Sequence, residues 1–306
     1  MRVRTFFFVG VVVLLLHAGI GGPLYAQRPV PERLTLNAGH QLVEARLLIE
    51  HDRPQEAVDL LRPLVDRRPD WRQPREGTAS YWLGRAHEAQ GDRARAHQAW
   101  RAGVNALFAR GRVDVPLFQA YVRSVFRSGE ADERAPAADA YLHLLGTAAP
   151  DASPIVQRHV AHLLLLWPNA ERTRLTPDPD ALLDGTGTLT AHAGSLAVAW
   201  WRRQDPRPAT PRNERVIEHL QRVAQAEQAF GDDSFLQVDA RGRIYIRLGT
   251  PAQRRALTSD RLAKSTSVQA HFIPRNEYWR YEGFGRHAPY LFVRRGVRYV
   301  QGGVID

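Results

Sequence analysis

From residue 80 to 103 the chain reads "SYWLGRAHEAQGDRARAHQAWRAG" and places small and large side chains at fixed offsets. Leu83 and Ala86 predict the apolar side of one helix, and Gly91-Asp92 predicts its end, because glycine accepts the left-handed conformation at a C-terminal cap. Gly84 and Ala96 lack bulk, so two helices can cross closely there, and Trp100 is the knob that fills the space they leave. The segment is therefore a helical hairpin held by packing of large against small.

A weaker copy lies upstream in "ARLLIEHDRPQEAVDLLRPLVDRRPD". Setting Ala57 at the offset of Ala96 puts Leu61 at the offset of Trp100, and Pro69 where such a unit ends. The pattern resembles helix–turn–helix repeats of tetratricopeptide type. From 57 to 96 is longer than the usual period of about 34 residues, and extra residues around Trp71–Glu76 account for the excess. Residues 114–167 are helical by period and read as a third, degenerate pair, the number such an array needs to bury its core. The resemblance implies stacked helix pairs with a face that grips another protein.

The N-terminus addresses the compartment. "MRVRT" is basic, "FFFVGVVVLLLHAGI" is apolar, and "LYA" ending at Ala26 supplies small residues before a cut. This is the layout of a secretory signal peptide over 1–26, too short to span a membrane comfortably. The expectation is an exported protein, periplasmic or extracellular, with no transmembrane span after cleavage. The chain has no cysteine, which excludes a lipid-anchored cysteine and any disulfide.

A net charge of +10 raises nucleic acid as a partner. The arginines are scattered or in short groups such as Arg67, Arg68 and Arg72, with acids between them, and Lys264 is the only lysine. Solvated helix faces explain them. The expectation is a protein partner, no nucleic acid, and an anionic envelope component as a weak alternative.

Residues 168–195 carry the proline, glycine, aspartate and threonine of turns and predict a linker. Asp178, Asp180 and Asp184 lack the glycine and glutamate positions of a calcium loop. Beyond it, Thr210 and Pro211 predict the start of a helix that Gly231 ends. Trp200 and Trp201 staple the turn before it. "SFLQVDARGRIYIRLGTP" alternates Ile244, Ile246 and Leu248 with Tyr245 and Arg247 and predicts a hairpin. Residues 252–274 read as a loop, and "NEYWRYEGFG", "PYLFVRRG" and "VRYVQGGV" as short strands. The fold class is α+β: an N-terminal helical repeat array over 27–167, then a small helix-plus-antiparallel-sheet domain over 196–306.

The last third carries an ordered series of residues. "WRRQDPRPATPRNE" supplies Asp205, Pro206, Pro211, Asn213 and Glu214. "DARGRIYIRLGTP" supplies Asp239, Arg241, Gly242, Tyr245, Gly249 and Pro251, and "NEYWRY" supplies Asn276, Glu277, Trp279 and Tyr281. The series resembles the GWxTD domain of exported bacterial proteins. The naming motif is absent, "SFLQVD" stands in its place, and Ala240 looks inserted. The resemblance implies no activity and no cofactor.

Two functions compete on the sequence. One is a non-catalytic exported scaffold that binds protein through its repeats. The other is an enzyme or small-ligand binder with a polar pocket of Asn213, Glu214, Asp239, Arg241 and Glu277, in which Asp239 and Glu277 form an acid pair. A deep pocket favours the second, and mutually paired side chains favour the first. No GxSxG elbow, Walker loop or HExxH motif is present. "GTGTLT" lacks the third glycine of a dinucleotide loop. His159 and His162 share a helix face but have no third ligand nearby, so packing histidines are expected, with no metal and no cofactor.

Overall fold

The computed structural model describes residues 32–128, 131–210, 212–257, 276–282 and 288–302. The signal-peptide reading of 1–26 and Pro211 lie outside the described residues. Among those residues, no helix is long and apolar enough to cross a membrane.

Seven helices come first: α1 (Glu32–Glu50), α2 (Pro54–Arg67), α3 (Ala79–Ala89), α4 (Arg93–Phe108), α5 (Val115–Ser128), α6 (Arg134–Leu145) and α7 (Pro154–Leu164). Each helix packs on the next up to α7. In addition α1 touches α3, α3 touches α5 and α5 touches α7. The odd-numbered helices thus form one layer, and α2 and α4 are each lodged against two of its members. Local signals set the boundaries. Thr78 and Asp92 cap α3 and α4 by accepting from the Tyr81 and Arg95 amides, and Gly91 turns between them at φ +77°.

The predicted packing residues meet as expected. Ala57, Leu61, Ala86 and Ala96 are buried, with Leu83 beside them. A Cβ on Gly84 would stand 2.0 Å from Trp100 Nε1, so the indole occupies the place of that missing side chain. The same N–H donates to the Tyr81 carbonyl at 3.1 Å. Gly103 repeats the device one turn on, where a Cβ would lie 2.5 Å from Ser80. The residues that lengthen the first spacing form a small hairpin, β1 (Arg72–Gln73) with β2 (Gly77–Thr78). Its neighbour Asp70 is buried and ion-paired to Arg110 at 2.9 Å.

Residues 168–195 are not a solvated linker. A 3₁₀ turn (Asn169–Arg174) and α8 (Pro179–Leu183) occupy them, and Leu175, Leu182 and Leu189 are buried. Asp178 caps α8 through the Asp180 and Ala181 amides. Three leucines spaced among turn residues give no helical period, so their burial was invisible in the sequence. The hydrophobic core runs unbroken from Ala96 to Phe292, while a second cluster joins α1, α2 and α3.

Next come α9 (Ala193–Arg203), α10 (Glu214–Phe230) and α11 (Ala240–Leu248). Trp200 and Trp201 sit near the end of α9, just before the proline-rich turn. Helix α10 begins later than predicted: Asn213 is its cap, accepting from the Val216 amide at 3.0 Å, and the Thr210 hydroxyl donates to the Arg207 carbonyl instead. The predicted hairpin at 239–248 is a helix. Asp239 Oδ1 accepts from the Arg241 and Gly242 amides and starts it, and Gly249 at φ +80° stops it. A nine-residue helix covered by α10 on one side and the sheet on another can bury Ile244 and Ile246 alike, so alternation does not separate it from a strand. Tyr245 consequently lies on a helix and bonds Gln225 rather than packing across strands.

The three C-terminal strands stand where predicted. With β3 (Gln253–Leu257), in the segment read as a loop, they complete an antiparallel sheet in the order β3, β4 (Asn276–Tyr281), β5 (Ala288–Arg295), β6 (Arg298–Gln301). On β4, Glu277, Trp279 and Tyr281 point inward, and Trp279 packs between Phe230 and Phe292 with ring centres 5.3 and 4.9 Å away.

Helix α10 docks on α5 and α6. Glu227 takes Arg123 and Arg127 of α5 at 3.2 and 3.1 Å, and His162 of α7 bonds the Leu236 carbonyl at 2.9 Å. His159, His162 and His219 are buried here, with Tyr141 ringed by two of them. All three pack in the interior, His159 and His162 on α7 and His219 on α10. Burial and the neighbouring cations, Arg158, Arg123, Arg222 and Arg243, push all three below the ordinary histidine value, His159 to about 3. The one facing carboxylate, Glu227, is already shared by two arginines. The unfolded chain therefore binds protons that the folded chain refuses. Their contribution to stability is full above about pH 6.5 and falls as pH drops below it, by up to about 1.4 kcal/mol per pH unit for each histidine, down to about pH 3 for His159. Urea midpoints measured from pH 7 to pH 4.5 check this, and replacing His159 with phenylalanine flattens the slope.

Candidate functional site

Five side chains were expected to share a pocket, and the structure divides them. Asn213 and Glu214 stand at the start of α10. Asp239, Arg241 and Glu277 gather past its other end, beyond a 17-residue helix about 25 Å long. Asn213 is a cap whose amide donates to the Trp201 carbonyl at 2.8 Å, tying α10 to α9.

The second group is built by the first turn of α11 and by β4. The Asp239 carboxylate faces back over the helix start, where exposed amides and the helix dipole favour an anion. Arg241 then folds onto it. Its Nε and Nη2 donate to Asp239 Oδ2 at 3.0 and 2.7 Å, and its Nη1 donates to Glu277 Oε1 at 2.6 Å. Its face lies on the Tyr299 ring, 3.6 Å from the centre. Glu277 takes two further donors on Oε2, Arg254 Nε at 2.8 Å and Trp279 Nε1 at 3.0 Å.

Burial alone would raise the Glu277 carboxyl, but hydrogen bonds from Arg254, Trp279 and Arg241 outweigh it and hold the group below its ordinary range. Burial would likewise lower Arg241, and the bonds to Asp239 and Glu277 raise it instead. Glu277 is thus held as an anion against a guanidinium that also grips Asp239. A proton donor in an acid pair is held protonated, and the donors around Glu277 do the reverse. Chemically the arrangement is a clasp that joins the start of α11 to strands β3, β4 and β6.

Sequence reasoning named three members of the clasp and missed Arg254 and Tyr299. Arg254 fell in a segment read as loop. Among the described residues, no group of three histidines, cysteines or acids is placed to hold a metal. Asp239 has two separable duties. Asp239→Ala removes cap and ion pair together. Asp239→Asn keeps the cap acceptor and is expected to retain about 1 kcal/mol more stability, read from urea unfolding.

Concavities open elsewhere among the described residues. One of about 510 Å³ lies beside α6 and α9 and is lined by Asp139, His143, Arg202 and Arg212, among others. Another, about 220 Å³, lies among α9, α10 and α11. Neither is lined by Asp239, Arg241 or Glu277. Compared with protein-family models, curated proteins and solved structures, the chain matches none.

Proposed function

We propose that this chain is an exported, non-catalytic scaffold that binds another protein through its helix pairs and carries a GWxTD-like unit at its C-terminus. The observation that carries the reading is the layer of odd-numbered helices, α1 on α3 on α5 on α7. Such stacking builds an extended surface from one repeated contact. The C-terminal unit docks on α5 and α6, and α1 offers the half-buried Val43 and the 43% exposed Leu47 one turn apart.

The closed clasp supports the same reading, because its carboxylates and guanidinium are spent on one another. The resemblance to the GWxTD domain rests on the ordered residues from Asp205 to Tyr281, and the export reading on the composition of 1–26. The test is capture from an envelope extract. The purified chain is expected to retain a stoichiometric protein partner that Leu47→Glu releases without changing the melting curve. Absence of a partner, or capture indifferent to Leu47→Glu and to removal of 27–167, would overturn the reading.

A further inference from the structure

We propose that the cavity among α9, α10 and α11 binds a small organic anion, a carboxylate carried on a single six-membered ring about the size of one sugar acid. The cavity measures about 220 Å³, below the range of sites for larger ligands and suited to a single ring. Trp200 and Trp201 form one wall, with ring centres 4.8 Å apart, and Trp167 stacks behind Trp200 at 5.2 Å. Trp200 meets Trp201 edge to face and is backed by the stacked Trp167, which holds its ring as a rigid apolar surface.

The opposite side is cationic. Arg215, Arg222 and Arg247 line it against a single carboxylate, Glu218. Arg215 and Arg222 both donate to Glu218. The Arg247 side chain is exposed and makes no hydrogen bond or ion pair among the described residues. Three guanidinium groups against one carboxylate leave a local excess of positive charge, and a planar guanidinium with no partner matches a carboxylate at two points.

Charge alone would accept inorganic phosphate, and the indole wall alone would accept a neutral sugar. The two together select an anion with a ring. This site is separate from the Asp239 clasp and from the helix-pair surface, so it goes beyond the scaffold reading.

The experiment titrates the purified chain with glucuronate, glucose, inorganic phosphate and an acidic tetrapeptide, following tryptophan fluorescence and heat. Saturable quenching by glucuronate is expected, with glucose and phosphate each roughly tenfold weaker or more. Arg247→Gln, at an exposed position with no partner to lose, is expected to weaken glucuronate by a similar factor while the far-UV spectrum stays unchanged. Trp200→Leu is expected to weaken glucuronate and leave phosphate unaffected. No saturable glucuronate binding, equal binding of glucose or phosphate, preference for the peptide, or an Arg247→Gln chain that binds normally would each overturn the proposal.

Discussion

Gly84→Ala is expected to destabilise the helical array by about 3 kcal/mol, although alanine is the better helix former. The new methyl would meet the Trp100 ring, with Nε1 at 2.0 Å and Cδ1 at 2.4 Å. Trp100 is 4% exposed and anchored to the Tyr81 carbonyl, so it has no open side to swing toward. Trp100→Ala is expected to cost about 3–5 kcal/mol through the cavity it leaves. The two losses are not additive, because the second change vacates the space the first one needs. The Gly84→Ala, Trp100→Ala double variant should be more stable than the sum of the single costs predicts, by 1 kcal/mol or more on the usual scale of neighbour coupling. Thermal and urea unfolding of the four chains closes the cycle. Strict additivity would mean that the ring does not sit over Gly84.

Arg241→Met is the second large effect, expected at about 3–5 kcal/mol. The arginine links Asp239 to Glu277, and its side chain is 14% exposed while theirs are 4% and 10% exposed. Removing it leaves two anions close together in a half-dry site, with Arg254 still on Glu277 only. Glu277→Leu added to Arg241→Met removes one of those charges and is expected to recover part of the loss. This pattern separates a clasp from a catalytic pair. A catalytic pair would lose little stability on substitution, since active-site groups are held at a cost to the fold.

The helical half was legible because its chemistry is local. A glycine before a turn, an aspartate after it and a tryptophan opposite a glycine each force one geometry, and Gly84 with Trp100 met as the offsets required. The sheet strands at 276–281 and 298–301 were legible from alternation. Residues 239–248 were not, because Ile244 and Ile246 are buried by partners distant in sequence, and Asp239 as a helix cap competes with Asp239 as a turn residue. The core leucines of 168–195 were hidden for the same reason. Of the expected site, Asp239, Arg241 and Glu277 converge while Asn213 and Glu214 serve the far end of α10. Residue type announced charge pairing, and only the fold says which charges share an end of a helix.

The central claim is that the chain works through its stacked helices and that the arginine clasp only holds the C-terminal unit together. Hydrogen exchange of the chain with and without its captured partner tests it most directly. The account predicts new protection on α1 and α3 and unchanged exchange in β4 and the first turn of α11. Protection centred on β4 and Arg241, with α1 and α3 unaltered, would contradict it.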